Sequence, residues 1–287
     1  MIDIAVIGAG RLGTTLGRAL AEKGGSITAV TCRRKESAAE SRAIIGQGRA
    51  LTDNAAAART APVIFLSLPD EVIPKVARRL ARCRVDWPAK TVFHTSGLLP
   101  ARALEPLRMK GAAVAAFHPI QAFSSKRTPS AHFRGVSFGL EGDRQALVLA
   151  RNLVRRLGGR ALAIPEEAKP LYHAALAFSS NFSVVLLDTA VRLLKESGIP
   201  ENKAVALLLP LVQGTLRNVK ELNTTESLTG PLVRGDATTI KAHLKALECR
   251  PRYAEIYKKM SLAGLDLARK KGLRPRSLAA LRKILEG

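Results

Sequence analysis

Through the first half of the chain, short runs rich in β-branched and other apolar residues alternate with stretches whose apolar positions recur every three or four residues. The runs fall near Ile2 to Ile7, Ile27 to Thr31, Val63 to Ser67, Thr91 to His94, Ala113 to Phe117, Val136 to Leu140 and Ala161 to Ile164. Short strands separated by helical periods predict parallel pairing through helical crossovers, hence a doubly wound α/β sheet. Asp70 to Arg84 and Asp143 to Leu157 carry the helical period, and each opens on an acidic residue placed to cap a first turn.

After Pro165 the strands give way to periods near 3.6, from Leu171 to Lys195, Glu201 to Leu222, Ala237 to Leu247 and Tyr253 to Lys271. The pattern divides the chain into an α/β domain over 1–165 and an all-α domain over 166–287. Gly198 and Pro200 separate the first two helices of that second domain. Leu228 to Asp236, with Gly230, Pro231 and Gly235, reads as a loop. The segment Leu171 to Leu194 is apolar on more than one face (Leu176, Phe178, Phe182, Val185, Leu186, Leu193), which predicts burial on all sides. That burial is central or across a homodimer interface, and the dimer is the favoured expectation.

Composition narrows the class without naming a function. At 47% apolar and 24% charged residues the chain can bury a core without metals or disulfides. Cys32, Cys83 and Cys249 are far apart and lack ligand spacing, so no zinc site or disulfide framework is indicated, and a reducing, cytoplasmic setting fits. The opening strand leaves no basic-then-apolar leader pattern, and the start reads as a mature one. The longest apolar candidate, Ala174 to Leu187, is interrupted by Ser179, Ser180, Asn181 and Ser183, short of the roughly 20 residues of a membrane span. A net charge of +23 would attract polyanions, yet the cations are spread over nearly every predicted helix. That spread favours a solvated basic surface over a nucleic-acid footprint.

The chemistry begins at Gly8-Ala9-Gly10-Arg11-Leu12-Gly13, a GxGxxG directly after a predicted strand and opening a helix. Gly8 permits the tight turn, Gly10 a close approach of backbone to diphosphate, and Gly13 the packing of helix on strand. This is the dinucleotide fingerprint of a Rossmann fold. At the end of the second strand an NAD-binding chain places Asp or Glu, whereas this one reads Thr31-Cys32-Arg33-Arg34-Lys35. Arg33 and Arg34 can grip a 2′-phosphate that a carboxylate would repel, so NADP(H) is the expected cofactor. Ser67, Leu68 and Pro69 end the third main strand, where the nicotinamide ribose is expected.

The next two strand ends carry His94-Thr95-Ser96-Gly97 and Phe117-His118-Pro119, which bring two histidines and two hydroxyls to one edge. His118 is the candidate acid/base, Ser96 a catalytic partner, and His94 a substrate contact or a packing residue. The helical domain offers Lys169, His173, Ser180 and Asn181, and the loop Arg234-Gly235-Asp236. His173 and Ser180 share a helical face seven residues apart. Asn181 serves either the site or a helix-helix hydrogen bond. Arg234 can hold a substrate carboxylate, with Asp236 orienting it or capping the next helix. His243, on that helix, is a surface histidine or a neighbour of the same cleft.

Over nearly its full length the chain resembles the Rossmann-like oxidoreductases that carry a C-terminal domain of unknown function (DUF2520), also described as short-subunit dehydrogenase-like. The residues that carry the likeness are GAGRLG, FHTSG, FHPIQAF, LYHAALAFSSNF and LTGPLVRGDATTIKAHL. The wider superfamily includes 6-phosphogluconate dehydrogenase, ketopantoate reductase, pyrroline-5-carboxylate reductase and prephenate dehydrogenase, which implies a dimer with an active site between domains. Ser96 and His118 look similar to the serine and His-Pro histidine of prephenate dehydrogenases. Lys169 and His173 are similar in spacing to the lysine and asparagine of β-hydroxyacid dehydrogenases, with histidine in place of asparagine and Pro170 between them. The expectation is an NADPH-dependent oxidoreductase acting on a small carboxylate-bearing oxo or imino substrate, with His118 or His173 as proton donor. The alternative is a non-catalytic, dinucleotide-responsive protein that engages nucleic acid or another polyanion through its basic surface.

Overall fold

A computed structural model describes residues 1–287. Backbone contacts separate two compact units, Met1–Asn181 and Phe182–Gly287.

The first unit runs β1 (Ile2–Ile7), α1 (Arg11–Glu22), β2 (Gly25–Thr31), α2 (Lys35–Ile45), β3 (Arg49–Leu51), α3 (Asn54–Arg59), β4 (Val63–Leu66) and α4 (Ile73–Ala81). It continues through β5 (Thr91–His94), α5 (Glu105–Arg108), β6 (Ala113–Pro119), β7 (Ser137–Gly142), α6 (Arg144–Arg156), β8 (Arg160–Ala163) and α7 (Lys169–Ser179). One eight-stranded sheet has the order β3-β2-β1-β4-β5-β6-β7-β8, with its direction of winding reversed at β1/β4. The sheet is mostly parallel, and the one antiparallel pair is β6 with β7, joined without a helical crossover. The short edge strand β3 was absent from the sequence expectation because three residues carry no readable period.

Period-two alternation decides what each face of this sheet does. Phe65, Phe93, Phe117 and Phe138, from four neighbouring strands, form a row with ring centroids 5.0 to 5.6 Å apart, buried under α1 and α6. Ile64, Leu66, Val92 and Val114 point the other way, into the core shared with α4 and α5. His94, His118 and Gly139 each adjoin a residue of the phenylalanine row, and Glu141 adjoins Leu140 of the same core, so all four belong to that opposite face.

Two expected caps are corrected. Asp143 precedes α6, but its carboxylate accepts from Val114 N–H at 2.8 Å and pairs with Arg108, tying helix to sheet. Asp70 stands apart from α4, which starts three residues later, after Val72.

The second unit holds α8 (Asn181–Glu196), α9 (Glu201–Leu222), α10 (Thr224–Ser227), α11 (Pro231–Arg234), α12 (Ala237–Ala246), α13 (Pro251–Lys270) and α14 (Pro275–Glu286). Its core joins Ile240, Leu265, Leu281 and Leu285. The second half of the chain is helical as expected, with four corrections. The segment expected as one helix from Leu171 to Lys195 breaks at Ser180 into α7 and α8. Apart from Val191, its apolar residues are not buried within the single chain: Phe178 is 68% and Val184 69% exposed. By length and composition Glu166–Glu196 is apolar enough to cross a membrane, its most apolar 18-residue stretch having mean hydropathy 1.5, because the interrupting serines cost little hydropathy. The expected loop over 228–236 contains one helical turn, α11, started by Pro231 and stopped by Gly235 in the left-handed region.

Candidate active site

The glycine turn is fastened to the end of β2, where Gly8 and Ala9 donate to the Thr31 carbonyl at 3.1 and 2.8 Å. This tie puts Cys32, Arg33 and Arg34 beside the turn. Gly8 adopts φ +90° under the Ser67 carbonyl, a conformation and a clearance that exclude a side chain. Gly13 is packed beneath the Gly8 carbonyl and Ser67, so α1 lies close on β4. At Gly10 an added methyl would meet nothing within 4 Å, leaving the backbone open to an anion. Arg11 is exposed and Leu12 half-buried, both in the first turn of α1.

Above the turn lies a cleft of about 590 Å³ that brings Gly8, Ala9, Gly10, Arg33, Arg34, Ser67, Leu68 and Pro69 together. It sits at the β1/β4 reversal of the sheet, where an open α/β fold binds its ligands. Ser37 and Lys126 line it too. Sequence reading missed both; Ser37 is signalled only by lying one turn into α2, and Lys126 by nothing local. The residues fit a phosphorylated dinucleotide, since three cations and no carboxylate line the cleft.

The second cluster forms where β5, β6, β7 and α7 meet. His94 is buried and spends both ring nitrogens on backbone: Nδ1 accepts from Ser96 N–H at 3.3 Å and Nε2 lies 3.1 Å from the Pro100 carbonyl. Burial, then the nearby Lys169 charge, lowers its pKa to about 3. Its neutral ring fastens the segment after β5. Ser96 Oγ accepts from Leu98 and Leu99 N–H at 3.1 and 2.9 Å, fixing the turn that presents Gly97.

His118 Nδ1 lies 2.8 Å from the Tyr172 hydroxyl, with the rings edge to face. A methyl on Gly97 would stand 2.8 Å from His118 Nε2 and 2.8 Å from His173 Cδ2, so both rings border the gap this glycine leaves. Burial, then the charges of His173 and Lys169, lowers the His118 pKa to about 4, and burial pushes Tyr172 up to about 12. Near neutrality His118 is uncharged and Tyr172 keeps its proton.

Lys169 opens α7, with Pro170 accommodated in the first turn. Its side chain is 1% exposed and its ammonium lies 3.8 Å from Glu141, whose other contact is Ala101 N–H at 2.7 Å. Burial lowers the lysine's pKa and raises the carboxyl's, each opposed by the other's charge. Lys169, Tyr172 and His173 occupy positions i, i+3 and i+4 of α7 and so share one helix face. Tyr172 and Glu141 were missed from sequence; the i+3 spacing, and the alternation that puts Glu141 on the histidine face, could have found them.

The remaining candidates stand on α8 and in the second unit. Asn181 is exposed at the start of α8, and the break at Ser180 removes the shared helical face expected for Ser180 and His173. In the second unit Asp236 caps α12 through Thr239 N–H at 3.0 Å and lies 4.0 Å from the exposed guanidinium of Arg234. His243 bonds the Tyr257 hydroxyl at 2.8 Å.

Residues 1–119 match the model of a Rossmann-like domain, and residues 136–263 match the model of a domain of unknown function, DUF2520. The chain joins a Rossmann-like domain to a DUF2520 domain. Among solved structures, a candidate NADP oxidoreductase from Bacteroides fragilis is 27% identical with TM-score 0.78, over 92% of this chain and 98% of that one. A Thermotoga maritima protein is 24% identical with TM-score 0.72, over 93% and 99%. Pyrroline carboxylate reductase from Plasmodium falciparum, with NADP bound, is 14% identical with TM-score 0.61, over 95% and 100%. The last two likenesses are of fold. No curated protein matches the sequence.

Proposed function

We propose that the protein is an NADP(H)-dependent oxidoreductase acting on a small oxo or imino substrate that carries a carboxylate. One observation carries this reading: the arginine-lined cleft and the His118 cluster occupy ends of consecutive strands in one sheet, β2, β1, β4, β5 and β6. The likeness to the Bacteroides fragilis oxidoreductase over nearly the whole chain supports it.

In this reading the amides of the glycine turn and first turn of α1 hold the diphosphate, Arg33 and Arg34 the 2′-phosphate, and Ser67, Leu68 and Pro69 the nicotinamide ribose. When bound, the reduced nicotinamide supplies the hydride. With the Tyr172 hydroxyl taken as donor to His118 Nδ1, 2.8 Å away, the ring hydrogen sits on Nε2, beside Gly97. Neutral His118 thus polarises the substrate oxygen or nitrogen, and half-buried His173, across the same gap, delivers the proton. The substrate carboxylate is assigned to Arg234 on charge alone.

Titration of NADPH and NADH by nicotinamide fluorescence, followed by turnover on a panel of oxo and imino acids, tests the reading. His118→Ala should keep NADPH affinity and lose about 100-fold or more in kcat. Full turnover in that variant would remove the assignment. Nucleic-acid binding without turnover of any substrate would favour the polyanion-binding alternative.

The functional unit is proposed to be a homodimer. Val184, Val185, Leu207, Leu211 and Leu216 are exposed apolar side chains on α8 and α9, more than a monomer usually leaves uncovered.

A further inference from the structure

We infer that Lys126 is a specificity-determining residue for the phosphorylated dinucleotide, supplying the third cation around the 2′-phosphate beside Arg33 and Arg34. The inference rests on the NADP(H) reading and names a residue from a part of the chain that neither glycine turn nor β2 contributes.

Lys126 lies in the segment between β6 and β7, nearly ninety positions from Ser37, so something must carry it to α2. The segment is anchored by Phe123, which packs against buried Phe133 with centroids 5.3 Å apart, while Phe133 stacks on Phe138 at 5.8 Å. Ser130 bonds Glu22 at the end of α1. The chain thus passes over α1, and the Lys126 ammonium reaches α2, 2.7 Å from Glu40 Oε2 and 3.4 Å from the Ser37 carbonyl.

That position places it on the wall of the cleft that Arg33, Arg34 and Ser37 also line. Arg33, Arg34 and Lys126 border one cleft whose lining holds no carboxylate; Glu40 offsets the lysine from outside it, so the two arginine charges are left for a phosphate monoester of nearly two negative charges, which the lysine can also bond. Glu40, outside the lining, holds the ammonium in place: the ion pair keeps the side chain 22% exposed instead of free in solvent. A lysine so tethered loses little freedom when a phosphate arrives, which favours the phosphorylated over the unphosphorylated cofactor.

The test is a fluorescence titration of NADPH and NADH against the full chain, Lys126→Ala and Lys126→Arg, with circular dichroism as the check on folding. Lys126→Ala should weaken NADPH about tenfold, the order of one charge-assisted hydrogen bond, and leave NADH unchanged. Lys126→Arg should keep most of the preference, and the salt dependence of NADPH binding should flatten in the alanine variant alone. An unchanged NADPH-to-NADH ratio in Lys126→Ala, or equal loss for both, would overturn the role of Lys126 and leave the cofactor reading intact. Absence of NADPH binding by the unaltered chain would overturn both.

Discussion

Gly139 is the antiparallel register partner of His118, and a methyl at Gly139 would stand 2.8 Å from the Tyr172 hydroxyl. The missing side chain on β7 is what lets tyrosine reach the histidine on β6. Removing the hydroxyl with Tyr172→Phe frees Nδ1 and removes the preference for the Nε2–H tautomer. The expected outcome is a fall of about tenfold in kcat at unchanged NADPH affinity, with the ring nitrogen shifts of His118 moving toward a tautomer mixture by NMR. Gly139→Ala should reproduce the loss by displacing Tyr172. A phenylalanine variant with wild-type kcat and nitrogen shifts would show that the bond is only packing.

Gly97 makes a second prediction from absent volume. A methyl there would meet His118 Cε1 at 2.7 Å and His173 Cδ2 at 2.8 Å, closer than real contacts allow. Gly97→Ala should therefore fill the gap where substrate meets the two rings. Turnover is expected to fall by about two orders of magnitude while NADPH binding persists, because the cofactor cleft does not include Gly97. Parallel loss of cofactor affinity would place the gap in the dinucleotide site instead.

The buried pair Lys169 and Glu141 sets the charge around His118. Lys169→Met leaves the Glu141 carboxyl largely buried without its cation, a change that typically costs about 3 kcal/mol. The double change with Glu141→Leu should cost less than the sum of the single ones, since it removes the orphaned charge. Lys169 also lowers the His118 pKa, so Lys169→Met is expected to raise it from about 4, which NMR titration would read directly. Additive stabilities and an unmoved His118 would sink the pairing.

Most of this fold is legible in hydrophobic pattern, because strands buried on both faces and amphipathic helices write their periods into sequence. The glycine turn and Arg33-Arg34 are legible for a related reason: a local backbone task dictates the residues. Tyr172, Glu141 and Lys126 are different. Each acts across a register or a crossing that joins residues 54, 28 and 86 positions from their partners, and one sequence holds no record of such pairings. The break at Ser180 was equally hidden, since apolar periodicity continues through it. The same continuity made the segment look buried, when in the single chain its apolar side chains face outward.

Acid should destabilise the first unit through two histidines. His94 and His118 have folded pKa values of about 3 and about 4, against 6.5 for an ordinary histidine. A lowered folded value means that the unfolded chain takes up protons first, so this stability is complete above about pH 6.5 and is lost as pH falls toward 4 and then 3. Within that window each histidine contributes a slope of about 1.4 kcal/mol per pH unit, and urea midpoints measured from pH 7 to 4 should fall accordingly. His118→Gln should flatten the curve by about one proton. A midpoint independent of pH across the window would contradict neutral burial of both rings.

The exposed face of α8 and α9 yields the last prediction. Val184 is 69% and Leu211 65% exposed, both on helices with further exposed Val and Leu side chains. Each such side chain gains about 25 cal/mol per Å² when covered, so an apolar surface of this kind drives association once it amounts to several hundred Å². The unaltered chain should sediment as a dimer. Val184→Lys combined with Leu211→Lys should yield monomers, because a lysine buried opposite apolar groups carries an uncompensated charge. Since the cleft is built wholly within Met1–Asn181, the monomeric variant should retain its NADPH affinity. A wild-type monomer at micromolar concentration would sink the dimer, and a variant that stays dimeric would move the interface elsewhere.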